Sequence, residues 1–175
     1  MSQKNSSPSP CEERLKKELL RLDPILVQVA KELFEHPELS GQESCACSML
    51  ADQLSQVGFE VDVRIPGLPT AFVGKRALNG GGSPRIGFFC EYDALPGLGH
   101  ACGHNLIAAA SLVAGLALTE ASESGRGEVW VIGSPAEETF GGKLSLMKSG
   151  RLEGLEAAMM FHPGPETRVL SVTSV

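Results

Sequence analysis

The chain has one tryptophan and one tyrosine, aromatics make up only 5% of its 175 residues, and no run of five or more basic residues occurs. With 15 Lys+Arg against 21 Asp+Glu and a net charge of −6, it lacks the basic face that binding to nucleic acid requires. No apolar run reaches the ~20 residues that span a bilayer. The longest, Leu106 to Leu118, is interrupted by Ser111 and reads as a buried helix, so no membrane partner is expected. The first residues are polar and then charged, without the apolar stretch of a signal peptide, and a cytoplasmic protein is expected. The five cysteines are odd in number and irregularly spaced, which argues against a disulfide framework. A Gly-x-Ser-x-Gly elbow and a phosphate loop ending in Gly-Lys-Ser/Thr are both missing, leaving serine-hydrolase and P-loop chemistry without support.

What is present is the composition of one globular domain, 42% apolar with 20 Gly and 11 Pro. Residues 1–10, rich in Ser and Pro, read as a disordered tail, and residues 11–175 as the folded part. Leu15, Leu19, Leu22, Leu26, Val29 and Leu33 recur at steps of four and three, which predicts a long amphipathic helix. Asp23-Pro24 marks either a kink in it or the start of a second helix. Another helix is predicted from about Glu43 to Val57, ended by Gly58. Strand-like segments follow at Phe59–Ile65, Ala71–Gly74 and Ile86–Cys90, then a helix at Leu106–Leu118, a strand at Glu128–Gly133, a short helix at Lys143–Lys148 and a strand at Ala157–Phe161. Strands alternating with helices predict an α/β fold with a mostly parallel sheet and helices on both faces.

In such a sheet the ligand lies beyond the carboxyl ends of the strands. Three segments there carry unusual residues: Glu91 to Asn105 after the third strand, Ser134 to Glu138 after the fourth, and His162-Pro163 after the fifth. Thiolate, imidazole and carboxylate together are the donor set of zinc or a similar divalent ion. Cys102 and His104 flank Gly103, and in an extended segment both side chains point one way. Cys45, Cys47 and Cys90 read as small buried apolar residues, and His36 as the end of the first helix. A competing pattern, Gly97-x-Gly99-x-x-x-Gly103 between a strand and a helix, resembles a dinucleotide fingerprint. Tyr92 to Pro96 separates it from its strand, however, and three potential metal donors crowd it.

These residues together, Glu91-Tyr-Asp-Ala-Leu-Pro-Gly-Leu-Gly-His-Ala-Cys-Gly-His-Asn, then Pro135-Ala-Glu-Glu and Phe161-His-Pro, closely resemble the aminoacylase and metallo-carboxypeptidase superfamily of two-metal amidohydrolases (peptidase family M20). The match is to its Cys-Gly-His branch and extends over roughly residues 15–165; His36 to Glu43 also looks like that branch's N-terminal segment. The resemblance implies Cys102, His104, Glu138 and His162 as ligands to Zn, or Mn, with Glu137 as general base and Asp93 orienting a ligand from behind. Asn105 stands where many relatives have Asp. The implied activity is hydrolysis of small amides: a dipeptide, foremost one ending in Lys, ornithine or Arg and including β-alanyl dipeptides, or an N-acyl amino acid. Family members are longer, with a lid domain through which homodimers form, and a final ligand histidine beyond it. The chain therefore reads as the amino-terminal part of such a catalytic domain. The alternatives are a catalytically inactive truncated isoform that binds metal weakly or modulates the full-length enzyme, and a nucleotide-binding domain built on Gly97, Gly99 and Gly103.

Overall fold

The computed structural model describes residues 8–63, 65–122, 125–164 and 166. Helix α1 spans Pro10–Glu35 and starts on a capping box. Ser9 Oγ accepts from the Glu12 amide at 3.3 Å, and the Glu12 carboxylate accepts from the Ser9 amide at 2.5 Å. Ser9 and Pro10 of the expected tail thus belong to the start of α1, while residues 1–7 of that tail lie outside the described residues. Asp23-Pro24 starts no second helix, because α1 runs through Pro24. Proline costs the helix its bond to the Leu20 carbonyl, and Leu20 and Pro24 both lie on the exposed side, where water can take that carbonyl. The opposite side buries Leu22, Val29, Ala30 and Leu33.

Helix α2 spans Ser44–Gln56. The Glu38 carboxylate accepts from the amides of Cys45 and Ala46 at 3.0 and 2.8 Å, satisfying two donors at its start. Five strands follow: β1 Glu60–Asp62, β2 Phe72–Leu78, β3 Arg85–Cys90, β4 Gly127–Gly133 and β5 Ala157–Met159. Between them lie α3, His104–Ala121, then α4, Glu137–Phe140, and α5, Gly142–Lys148. The fold is α/β, as the alternation predicts, with one sheet in the order β1-β2-β4-β3-β5. β3 is parallel to β4 and to β5, while β2 is antiparallel to both neighbours, so four of the five strands point one way and β2 alone runs back.

The sheet is covered on both faces, and β4 shows why its sequence is almost wholly apolar. Val129 and Val131 enter the core built with α1, α2 and α3. Trp130 and Ile132, pointing the other way, enter a second core with Leu146 of α5 and with Ile65 and Leu68. Helix α3 lies close against the first face because Gly115 faces Val131; a Cβ there would collide with the valine methyl Cγ2. α3 is long and apolar enough to cross a membrane, yet 72% of it is buried inside the protein, as a core helix is. Its first turn is tied to α1 by the buried Asn105, whose Nδ2 donates to the Ala30 carbonyl at 3.0 Å. That bond gives Asn105 a structural partner.

Candidate metal centre

The carboxyl ends of β3, β4 and β5 lie side by side, and the segment leaving each strand carries donor groups. Asp93, on the loop after β3, is the hub. Its Oδ1 and its own carbonyl each lie 2.9 Å from His104 Nδ1. Its Oδ2 accepts from Ser40 Oγ at 2.6 Å and from the Glu138 amide at 3.0 Å. Burial alone raises the Asp93 pKa, but the bonds from His104, Ser40 and the Glu138 amide outweigh it and hold the carboxyl at about 2. A carbonyl oxygen can only accept, so His104 Nδ1 carries the proton and Nε2 is the nitrogen left for another partner.

His104 Nε2 is buried and has no hydrogen-bond partner. Around it stand Glu91 Oε2 at 3.6 Å, Glu138 Oε1 at 3.7 Å and Glu137 Oε2 at 3.8 Å. Burial pulls the His104 pKa down, but the Asp93 bond and the surrounding carboxylates raise it on balance. Two trios of donor atoms lie within 4.8 Å of one another: Glu91, His104 and His162, and His104, Glu137 and Glu138. An orphaned imidazole nitrogen facing carboxylates fits a divalent cation, which would satisfy all of them together.

Backbone geometry delivers these side chains. Gly103 precedes α3 at φ 79°, and a Cβ on it would lie 2.7 Å from the Pro163 ring. Only a residue without a side chain lets the His162-Pro163 segment close over this point, where the His162 ring meets His104 edge-on at 6.2 Å. His162 itself is exposed. The bend at Gly103 also replaces the extended Cys102-Gly-His104 segment expected from the spacing: His104 is the first residue of a helix. Cys102 stands beside Glu138, whose carboxylate, together with burial, holds its thiol up at about 11, but it belongs to neither trio.

Ala136, just before α4, is left-handed at φ 55°, an uncommon conformation for a residue with a side chain. Its amide donates to Glu43 Oε1 at 2.8 Å, while Glu43 Oε2 accepts from Thr70 Oγ1 at 2.9 Å. Glu43 is fully buried and holds the turn that presents Glu137 and Glu138. Sequence reasoning placed Glu43 only in a segment shared with the family, and gave no role to Glu91 or to Lys143, whose ammonium pairs with Glu91 Oε1. Nothing local marks these residues, since the partners that single them out, Ala136 for Glu43 and Lys143 for Glu91, lie 93 and 52 positions away. The remaining cysteines divide: Cys47 and Cys90 are buried, as a small apolar reading predicts, but Cys45 is exposed. His36 caps the end of α1. Gly97 and Gly99 close a tight turn in which the Leu95 amide donates to the Gly99 carbonyl and the Leu98 and Gly99 amides to that of Leu95. Beside it Glu91, Asp93, Glu137 and Glu138 cluster about His104 at the start of α3, a charge that repels a pyrophosphate.

No protein-family model matches the chain. It is 48% identical over 114 residues to an Xaa-Arg dipeptidase of Mus musculus, an overlap covering 57% of this chain and 25% of that protein. It is 33% identical over 154 residues to a p-aminobenzoyl-glutamate hydrolase chain of Escherichia coli, covering 77% and 31%. The chain thus spans about a quarter to a third of these relatives' length. A solved Bacillus subtilis structure, a dinuclear metal-binding peptidase of the M20 family, superimposes with a TM-score of 0.70 at 27% identity, covering 86% of this chain and 44% of that one. The resemblance seen in the motifs therefore holds in both sequence and fold.

Proposed function

We propose that this likeness to M20 metallopeptidases extends to function, and that residues 11–175 supply part of the catalytic domain of a metal-dependent hydrolase of small amides. The observation that carries the reading is the buried, unpartnered His104 Nε2, with its other nitrogen fixed by Asp93 and three carboxylates within 3.8 Å. His104, Glu138, Cys102 and His162 would hold the ion, zinc or manganese, with Asp93 setting the His104 tautomer. A divalent ion bound there supplies an acidified water and polarises the scissile carbonyl.

The adjacent glutamates divide the remaining work by exposure. Glu138 has a side chain 22% exposed, its amide donates to Asp93, and its carboxylate stands beside the Cys102 thiol, which supports it as the ligand of the pair. Glu137 is 40% exposed and close to the same histidine, free to turn toward a substrate. It takes a proton from the attacking water and returns it to the leaving amine. The substrate class is a dipeptide with a basic C-terminal residue, Lys, ornithine or Arg, including β-alanyl dipeptides; the support for it is similarity to the Xaa-Arg dipeptidase. A cytoplasmic setting agrees with five free cysteines.

The test has two parts. Metal content after dialysis against zinc or manganese is measured for the chain and for Cys102→Ser plus His104→Ala. Hydrolysis of β-alanyl-lysine is then followed for the longest natural protein that contains this sequence, with and without added metal. Metal lost in the double variant, together with metal-dependent turnover, supports the reading. Equal metal in both proteins, or turnover indifferent to a chelator, overturns it.

A further inference from the structure

Glu91 is 1% exposed at the end of β3. One of its oxygens, Oε1, is taken by the Lys143 ammonium reaching in from α5; the other, Oε2, has no hydrogen-bond partner and faces His104 Nε2. Among the described residues, Lys143 is the one lysine or arginine ion-paired with any of the four carboxylates Glu91, Asp93, Glu137 and Glu138. This pairing matters because the two donor trios share His104. Its Nε2 faces Glu91 Oε2 at 3.6 Å on one side and Glu138 Oε1 and Glu137 Oε2 at 3.7 and 3.8 Å on the other. An imidazole nitrogen has one lone pair and serves one ion, so the trios compete.

We propose that Lys143 is a positioning residue that decides this competition: by neutralising Glu91 it withholds that carboxylate from the metal and leaves His104 to the Glu138 side. The inference rests on the reading of the site as a divalent-metal centre. A buried carboxylate stripped of its cation is costly and draws in whatever positive charge is within reach. Without Lys143, the nearest place for that charge is between Glu91 Oε2 and His104 Nε2. The lysine thus substitutes for a cation at one of the two trios, and the position of the ion follows from where the ammonium is.

Cobalt(II) is the probe, since its absorption reports the donors and a competing chelator reports affinity. With Lys143 intact, Glu138→Gln weakens cobalt binding, and the charge-neutral double variant E91Q/K143M binds within about twofold of the unaltered chain. In K143M alone, cobalt binds about tenfold tighter or more, as removal of a neighbouring positive charge requires. Its absorption changes, and its affinity depends on Glu91 and no longer on Glu138. K143R, which keeps the charge, behaves as the unaltered chain. If K143M fails to fold, the double variant decides: a tenfold loss of cobalt there makes Glu91 a ligand beside Lys143 and overturns the proposal. Retained Glu138 dependence and unaltered affinity in a folded K143M also overturn it, while leaving the metal centre itself in place. Cobalt binding that His104→Ala does not change refutes the metal centre instead.

Discussion

Asp93 grips His104 twice: Nδ1 of the imidazole lies 2.9 Å from both the carboxylate and the main-chain carbonyl of the aspartate. Because the carbonyl can only accept, the proton on Nδ1 is fixed and Nε2 is turned into a ring of three glutamates. A neutral amide at Asp93 keeps the size but loses the charge, and its NH2 replaces one of the two accepting oxygens. Asp93→Asn is therefore expected to remain folded and to bind zinc about 10–100-fold more weakly, the usual loss when the group behind a ligand histidine is altered. Isothermal titration checks it, and unchanged affinity would separate Asp93 from the site.

The same carboxylate sets an acid limit on stability. Its folded pKa, about 2, lies below the ordinary 3.8, so it contributes stability that is complete above ~4 and is lost as pH falls toward 2. The linked amount is about 2 kcal/mol. Urea melts of the metal-free chain should steepen in their pH dependence between ~4 and ~2. In Asp93→Asn the same window should be flatter, from a lower starting stability.

Glu137 and Glu138 should part company in the intact enzyme. On the proposed roles, Glu137→Gln removes the proton carrier and leaves the ligands, so turnover should fall ~100-fold or more with metal content unchanged. Glu138→Gln leaves a poorer donor: metal affinity should fall and excess metal should partly restore turnover. Measuring both quantities in both variants reverses the assignment if the phenotypes swap.

Glu43 should matter for folding of the site rather than for chemistry. Glu43→Ala leaves the Ala136 amide and the Thr70 hydroxyl buried without their acceptor. Two unmet donors at ~1–3 kcal/mol each predict a loss of roughly 2–6 kcal/mol. A denaturant midpoint that does not move would remove Glu43 from the account of how the Ala136 turn is held.

Gly115 offers a contest between propensity and space. Alanine favours a helix over glycine by ~1 kcal/mol, but its Cβ would strike the fully buried, stiff side chain of Val131. Overpacking of this kind costs ~1–3 kcal/mol, so Gly115→Ala should destabilise. In a Val131→Ala background the same change should become stabilising, since the space is then open. Thermal melts of the four proteins complete the cycle.

The α/β alternation, the helix faces and the strand-end location of Asp93, Cys102, His104, Glu137, Glu138 and His162 are all written locally, as periodicity and as residues that follow apolar strands. Helix and strand repeats are properties of a few consecutive residues, which is why a sequence displays them. The reversed direction of β2 is not local, because it depends on which strand the chain pairs with: Phe72 opposite Gly133, 61 positions on. Likewise α1 crosses Pro24 only because that side meets water, a fact decided by what packs on the opposite side. The different surroundings of the carboxylates also arise only on folding. Glu43 differs from other glutamates through Ala136, and Glu91 through Lys143, partners brought together across 93 and 52 residues. A sequence records which groups are available, but burial and distance determine whether a carboxylate is a solvated charge, a structural acceptor or a metal donor, and those arise only when distant segments pack.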